Sequence, residues 1–328
     1  MSLSLRAAAL ALTLAASLVL PFSPAVAQAQ DYPSRPVKIV VPFGAGGPAD
    51  VYARVLAQHL SEALKQPFVV EDRPGAGSLI GTDAVAKSPP DGYTLLAMSN
   101  THTTNESLIP NKPFQLMRDF VPVAGINYSD LVMVVHPSVP AKDLKEFIAY
   151  AKSKPGELNY ASSGAGTPYH MAAELFKAMS GTDMVHIPHK ASGEMRSAVI
   201  GGHVQMAFDA ITTMATNVTA GQVRALGTSS DKRTKVMPDV PTIAEAGVPG
   251  YESTIWLGIM APKGTPKAIV DRLNQEIARV IATPAIKEAW AKQGAVPMTM
   301  TPDAFGDYLK RDIAKWANVI QKAGIQPQ

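Results

Sequence analysis

The chain has 328 residues, is 46% hydrophobic, and carries a formal net charge of only +3. That apolar content supports a large core and suits two lobes better than one. No basic run is present to track a phosphate backbone, which argues against a nucleic-acid partner, and the lack of cysteine excludes disulfides and a lipid-carrying cysteine.

Taken in chain order, the first element is a single early cation, Arg6, followed by an uncharged run from Ala7 to Leu20. The run is shorter than the roughly 20 apolar residues of a membrane span, and Pro21 and Pro24 follow it. Ala25-Val26-Ala27 and Ala27-Gln28-Ala29 both have the small-x-small form of a cleavage site. These features predict a signal peptide over 1–27, cleaved after Ala27 or Ala29, and an exported protein that is not itself membrane-embedded. The 27 prolines and 24 glycines are spread along the chain, as turns in a folded domain would be.

VKIVVP (37–42) reads as a strand, Gly44 to Gly47 as a glycine loop, and Pro48 to Leu64 as a helix whose buried face carries Val51, Val55, Leu56, Leu60 and Ala63. PFVVE (67–71) and YTLLAMS (93–99) are further strands, with a second glycine-rich turn and a small-residue helix between them, so the unit is βαβαβ. LVMVVHP (131–137) starts the pattern again. A helix over 142–152, the strand LNYASS (158–163), a second glycine loop and helix, and the strands at 184–190, 204–210 and 223–230 follow. TIWLGIMAP (254–262) reads as a buried strand, and amphipathic helices over 266–282 and 302–323 return to the first lobe. The expected architecture is α/β with two lobes, each a sheet flanked by helices. The first spans 30–131 plus 257–328, the second 132–256, and a hinge lies between. The ligand site of such a clamshell is the crevice at the strand C-termini.

Three loops carry the candidate site. Gly44-Ala45-Gly46-Gly47 leads into a helix with Pro48 in its first turn and Asp50 placed to cap it, and offers free N–H donors to an anion. The same stretch satisfies a relaxed dinucleotide pattern through Gly44, Gly46 and Ala49, with Glu71 ending the next strand. This leaves an exported dinucleotide-dependent enzyme as the alternative function. Ser162 to Thr167 adds hydroxyls to the backbone donors before a helix that opens at Pro168, with Thr167 as its expected N-cap. Two helix N-termini facing one crevice suit a carboxylate, and better still a ligand with one at each end. The run from Ser99 to Asn105 is dense in neutral hydrogen-bonding groups and reads equally as crevice floor or as a polar helix start. Asp209 reads as a cap or an orienting group at least as well as a ligand contact.

His102, His170, His186 and His189 invite a metal reading, but His186 and His189 lie three apart on a predicted strand and would face opposite sides. No G-x-S-x-G elbow is present, so hydrolysis has no support.

Six segments, YPSRPVKIVVPFGAGGPAD (32–50), VVEDRPGAGSLIGTDAVAKSPPDGYTL (69–95), LNYASSGAGTPYHMAAELFK (158–177), VHIPHK (185–190), MAFDA (206–210) and DVPTIAEAGVPGYE (239–252), together resemble the Bug family, the periplasmic substrate-binding receptors of tripartite tricarboxylate transporters. The resemblance covers nearly the whole chain beyond the predicted signal peptide. It implies a type II-like periplasmic binding protein that is not an enzyme, needs no cofactor, works as a monomer in the periplasm, and delivers a small carboxylate to inner-membrane transporter subunits. Carried over by position, the ligand-binding residues are Phe43, Gly46, Gly47, Ser99, Thr101, Ser163, Gly164, Thr167 and Asp209. The chain departs from the family pattern at Pro188-His189-Lys190-Ala191, at Ala210, and at Pro168-Tyr169. Tyr169, as a flat surface at the crevice edge, and His189 join the candidates. An aromatic mono- or dicarboxylate is the expected ligand.

Overall fold

The computed structural model describes residues 32–322 and 324–327. The predicted signal peptide, with both cleavage points, lies outside the described residues, as does Ala323. Strand β1 (Val37–Val41) is followed by α1 (Pro48–Leu64), β2 (Phe68–Asp72), a short 3-10 turn (Ala76–Ser78) and α2 (Leu79–Ala86). Then come β3 (Thr94–Ser99), α3 (Asn100–Leu108), α4 (Leu116–Asp119) and the 16-residue β4 (Phe120–Val135). The chain continues through α5 (Leu144–Ser153), β5 (Asn159–Ser162), α6 (Pro168–Ser180), β6 (Val185–Pro188), α7 (Ser192–Ile200), β7 (Met206–Ala210), α8 (Ile211–Thr219) and β8 (Arg224–Thr228). It ends with β9 (Thr254–Pro262), α9 (Lys267–Ala282), α10 (Pro284–Lys292), β10 (Ala295–Pro297) and α11 (Pro302–Lys322).

The strand order is β2-β1-β3-β9-β4-β7-β5-β6, with β8 and β10 also paired to β4. Strand β1 runs parallel to β2 and β3, and β5 runs parallel to β6 and β7, so each group brings three strand C-termini to one end. Strand β4 joins the two groups. Its residues Phe120 to Asp130 pair with β9, and from Leu131 to Val135 it pairs with β7 and β8 instead. Ser229 ties the crossing together: its hydroxyl accepts from Leu131 N and donates to Ser253 O, while its own N–H donates to Leu131 O.

Burial follows the same division. One core contains Leu131, Phe147, Phe176, Phe208 and Tyr251. Two others contain Val37, Ile39, Leu56, Ile259, Leu273 and Trp290, and Leu96, Phe120, Trp256 and Phe305. A small fourth core, Leu108, Met171, Trp316 and Ile320, packs α3 and α11 against the start of α6 and so bridges the halves. The molecule is a two-lobed α/β protein, as expected.

Helix α1 shows how packing overrides spacing. Val51 is exposed, and the buried stripe is Tyr52, Ala53, Leu56, Ala57 and Leu60. The Tyr52 ring meets Trp290 edge-on at 5.2 Å, so the larger aromatic surface sets the rotation of the helix. The first half of β4 departs from the sequence expectation, which began a strand only at Leu131. Pro122, Gly125, Asn127 and Asp130 lack strand character, yet the segment pairs with β9 through two register shifts. Gly125 is required there, because a Cβ would sit 2.8 Å from Met298 O.

Candidate functional site

The parallel strands aim their loops at one cavity of about 550 Å³. From the first lobe come Pro42 to Gly44, Gly47 to Ala49, the turn Pro74 to Ser78, Ser99, Thr101 and Leu257. The second lobe supplies Ser163, Gly164, Thr167 to Tyr169, His189 to Ser192, Glu194 and Ile255. The lips touch: a Cβ on Gly44 would lie 2.7 Å from Ala191 Cβ, and one on Gly47 would lie 3.3 Å from Ser192 Oγ. Gly166 has φ +72° and passes so near α3 that a Cβ would meet Asn105 Oδ1 at 2.6 Å, a position only glycine fills without strain.

The cavity meets charge with neutral groups. Among the described residues, the only charged ones in its lining, Lys190 and Glu194, are exposed. Helices α1, α6 and α7 begin at this cavity from Gly47, Thr167 and Ala191, and none has a side-chain cap. Their first-turn N–H groups therefore have no acceptor inside the helix, and the positive ends of three helix dipoles converge here. Thr101 Oγ1 and Tyr169 OH are buried among the lining residues without a hydrogen-bond partner. Burial, with the Asp209 charge adding to it, raises the Tyr169 pKa, so the phenol keeps its proton and remains a donor; the neighbouring Ser192 hydroxyl opposes the shift only in part. Apolar surface comes from Phe43, Pro48, Pro74, Pro168, Ile255 and Leu257.

Of the sequence-derived candidates, Phe43, Gly47, Ser99, Thr101, Ser163, Gly164, Thr167, Tyr169 and His189 line this cavity, whereas Gly46 and Asp209 do not. Gly46 turns at φ +76° and donates its N–H to Asp50 Oδ2 at 2.8 Å. Asp50 is thus spent on the loop and on Arg54, and Gly47 occupies the cap position. Asp209 is fully buried and takes bonds from Arg196 Nε (2.8 Å), Ala210 N (2.8 Å) and Thr213 Oγ1 (3.2 Å). Burial raises its pKa, and Arg196 with the other donors opposes that shift. Thr167 occupies the N-cap position of α6 as expected, but its hydroxyl makes no cap bond and instead donates to Gly164 O at 2.7 Å, closing the loop on itself. Tyr169 is not at a crevice edge but 3% exposed, because its ring packs into the second-lobe core.

The run from Ser99 divides in two. Ser99 Oγ accepts from Thr101 N while His102 Nδ1 accepts from Ser99 N, a reciprocal cap that leaves both lining residues in place. Burial lowers His102 to about 4, so it stays neutral. Asn100, Thr103 and Asn105 bond to Thr254 O, Asp312 and Gly77 O inside the fold. Sequence reasoning saw the glycine-rich turn at Gly75–Ser78 and the departure at Ala191 but assigned neither that turn nor the Ala191–Ser192 helix start to the site. The small-residue turn after β2 was the available signal for the first. Ala191 carries no capping side chain, so nothing in its residue type marked the second.

The chain matches the family described as "Tripartite tricarboxylate transporter family receptor" over residues 52–325. Protein BugT of Bordetella pertussis (strain Tohama I) is 39% identical over 300 residues, 91% of this chain and 92% of that protein. The structure of R. palustris Rpa4515 with adipate superposes with TM-score 0.88 at 35% identity, covering 91% of this chain and all of that one. MatC from Rhodopseudomonas palustris with bound malate gives TM-score 0.83 at 31% identity, over 88% of this chain and all of that one.

Proposed function

The chain belongs to the tripartite tricarboxylate transporter family of receptors, and from that premise we propose that it is a periplasmic receptor which captures a small carboxylate between its lobes and delivers it to inner-membrane transporter subunits. The carrying observation is the convergence of three uncapped helix N-termini and two unpartnered buried hydroxyls on one cavity between the lobes that, among the described residues, has no buried cation in its lining. Such donors hold an anion without requiring a salt bridge. Because α1 comes from one lobe and α6 and α7 from the other, a ligand with a carboxylate at each end engages both and favours closure. The apolar walls and the volume support a body bulkier than a short aliphatic chain, and an aromatic mono- or dicarboxylate fits that chemistry. The relatives support the carboxylate class alone, since adipate on one and malate on the other are aliphatic dicarboxylates.

The separation of the cores supports two lobes close to the expected 30–131 plus 257–328 and 132–256, with Leu131 packed in the second-lobe core and Trp256 in a first-lobe core. Among the described residues no helix is long and apolar enough to cross a membrane, which accords with export behind the predicted leader. The family is one of receptors, not enzymes. The dinucleotide alternative also loses its acidic partner, because Glu71 is engaged by Lys38 Nζ at 2.6 Å and Arg73 at 2.7 Å.

The test is a melting-temperature screen of the chain without residues 1–29, using aliphatic, citrate-like and aromatic carboxylates, amino acids and NAD. A ligand at a hundred times its Kd stabilises by about 2.7 kcal/mol. Selective stabilisation by one carboxylate class supports the proposal. Stabilisation by NAD alone, or by an uncharged ester as well as its acid, contradicts it.

A further inference from the structure

Of the four histidines that invited a metal reading, His189 lines the cavity and His102 caps α3, whereas His170 and His186 have had no role so far, yet both lie directly beneath the second-lobe glycine loop. The rings of His170 and His186 stack at 4.1 Å and 22°, and the Tyr160 ring lies nearly parallel to His186 at 4.9 Å and 14°. Their nitrogens face the loop. Gly166 N donates to His170 Nδ1 at 3.2 Å. His186 Nε2 bonds Ser162 Oγ at 2.6 Å, and that hydroxyl lies 3.1 Å from both Gly164 N and Gly164 O. The loop's amides at Gly164 and Gly166 are thereby held, one through Ser162 and one directly, while Ser163, Gly164 and Thr167 remain turned to the cavity.

An imidazole nitrogen that accepts an N–H bond carries no proton, so His170 is the neutral Nε2–H tautomer. Protonating Nδ1 would set two donors against each other at Gly166. The surroundings guard against it: burial lowers His170 to about 4 and His186 to about 3, with the His170 and Lys177 charges adding to the effect on His186. The groups facing the pair are Glu174, which favours a charged His170 but is occupied by Tyr160 OH at 2.5 Å and Lys177 Nζ at 2.9 Å, together with Lys177 itself and His189. A purely apolar stack would pack these rings equally well but would leave the Gly166 N–H without an acceptor.

We propose that His170 and His186 are positioning residues for the ligand, holding the Ser163–Thr167 loop in the one conformation that presents Ser163, Gly164 and Thr167 to the cavity. The inference rests on the reading of that cavity as the carboxylate site.

Two readouts separate the two ideas. The first is amide exchange at Gly164 and Gly166 in the unliganded protein. The second is calorimetric affinity for adipate, used as the probe. His170→Phe keeps the stack and removes the acceptor; His170→Asn restores an acceptor without the ring; His186→Phe removes the bond to Ser162. We expect Gly166 to exchange about tenfold faster or more in His170→Phe, adipate affinity to fall about tenfold, and His170→Asn to stay within about threefold of the parent in both, as loss and recovery of one hydrogen bond require. His186→Phe should do the same to Gly164. Unchanged exchange in both Phe variants overturns the proposal, as does faster exchange with unchanged adipate affinity. If the parent chain binds no carboxylate, the receptor reading fails by itself and the exchange data still decide whether the histidines hold the loop. Should the variants not fold, imidazole 15N shifts of the parent decide: an unprotonated His170 Nδ1 at pH 7 is required, and a protonated one overturns the inference.

Discussion

Replacing Gly44 with alanine tests whether ligand binding depends on the lips closing. The new methyl group would lie 2.7 Å from Ala191 Cβ and 3.6 Å from Ala191 Cα. Carbon atoms rest about 3.5–4.0 Å apart, so the lips must separate by about 1 Å. Overpacking of this kind costs about 1–3 kcal/mol. Ala191 belongs to the other lobe, so the cost falls on the closed state and leaves the folding of either lobe untouched. A penalty of that size on the binding-competent state weakens apparent affinity by about 5- to 150-fold. The assay is titration calorimetry with the best ligand from the screen, alongside melting of the unliganded protein. Affinity should drop while the unliganded melting temperature stays the same. The double variant Gly44→Ala with Ala191→Gly should recover most of the loss, since glycine is tolerated at a helix N-cap. An unchanged Kd, or a loss that Ala191→Gly fails to relieve, refutes the reasoning.

Tyr169→Phe removes a buried hydroxyl that has no partner in the unliganded site, so it should leave stability unchanged or raise it by up to about 1 kcal/mol while weakening ligand binding about tenfold; weaker stability with intact affinity contradicts this. Asp209→Ala strands the Arg196 guanidinium, and because Arg196 is 18% exposed the loss should fall near the lower end of the buried-pair range, about 3 kcal/mol, read by urea melts. Its effect should appear in stability far more than in affinity, since Asp209 does not line the cavity. Stability should also decline from pH 7 to pH 5. His102, His170 and His186 have folded pKa values depressed to about 4, about 4 and about 3, so the unfolded chain takes up protons near pH 6.5 that the native state refuses. Their contribution is complete above the unfolded pKa and is lost as pH falls toward the folded values, at a slope of at most about 4 kcal/mol per pH unit for three protons. A flat profile between pH 7 and pH 5 refutes it.

The parts of this fold that were legible in sequence are those where one residue type has one use. Ile39 to Val41, Leu95 to Met98 and Ile255 to Ala261 are continuous apolar runs, and each lies in a buried strand. A glycine loop ending at Pro48 or at Thr167-Pro168 marked the two strand-to-helix turns, since proline suits the first turn of a helix. What was not legible depends on partners distant in sequence. The first half of β4 is a strand because β9 pairs with it, against its own proline, glycine and polar content. Gly46 and Gly47 are indistinguishable as letters, and only the backbone turn decides which faces the cavity. Tyr52, not Val51, faces inward because Trp290 waits on the other side. Asp209 reads from sequence as a cap or orienting group at least as well as a ligand contact, and its partner Arg196, 13 residues earlier on a different element, is what decides the matter.

The central claim is that this cleft holds a two-headed carboxylate through donors from both lobes. The most direct measurement is calorimetric titration with a matched series: an aromatic dicarboxylate, its monomethyl ester and its dimethyl ester. The account predicts saturable binding of the diacid, binding about tenfold weaker or worse for the monoester as one helix-end anion contact of roughly 1 kcal/mol or more is lost, and none for the diester. Equal affinity across the three would show that the helix ends and hydroxyls lining the cavity do not read charge, and would contradict it.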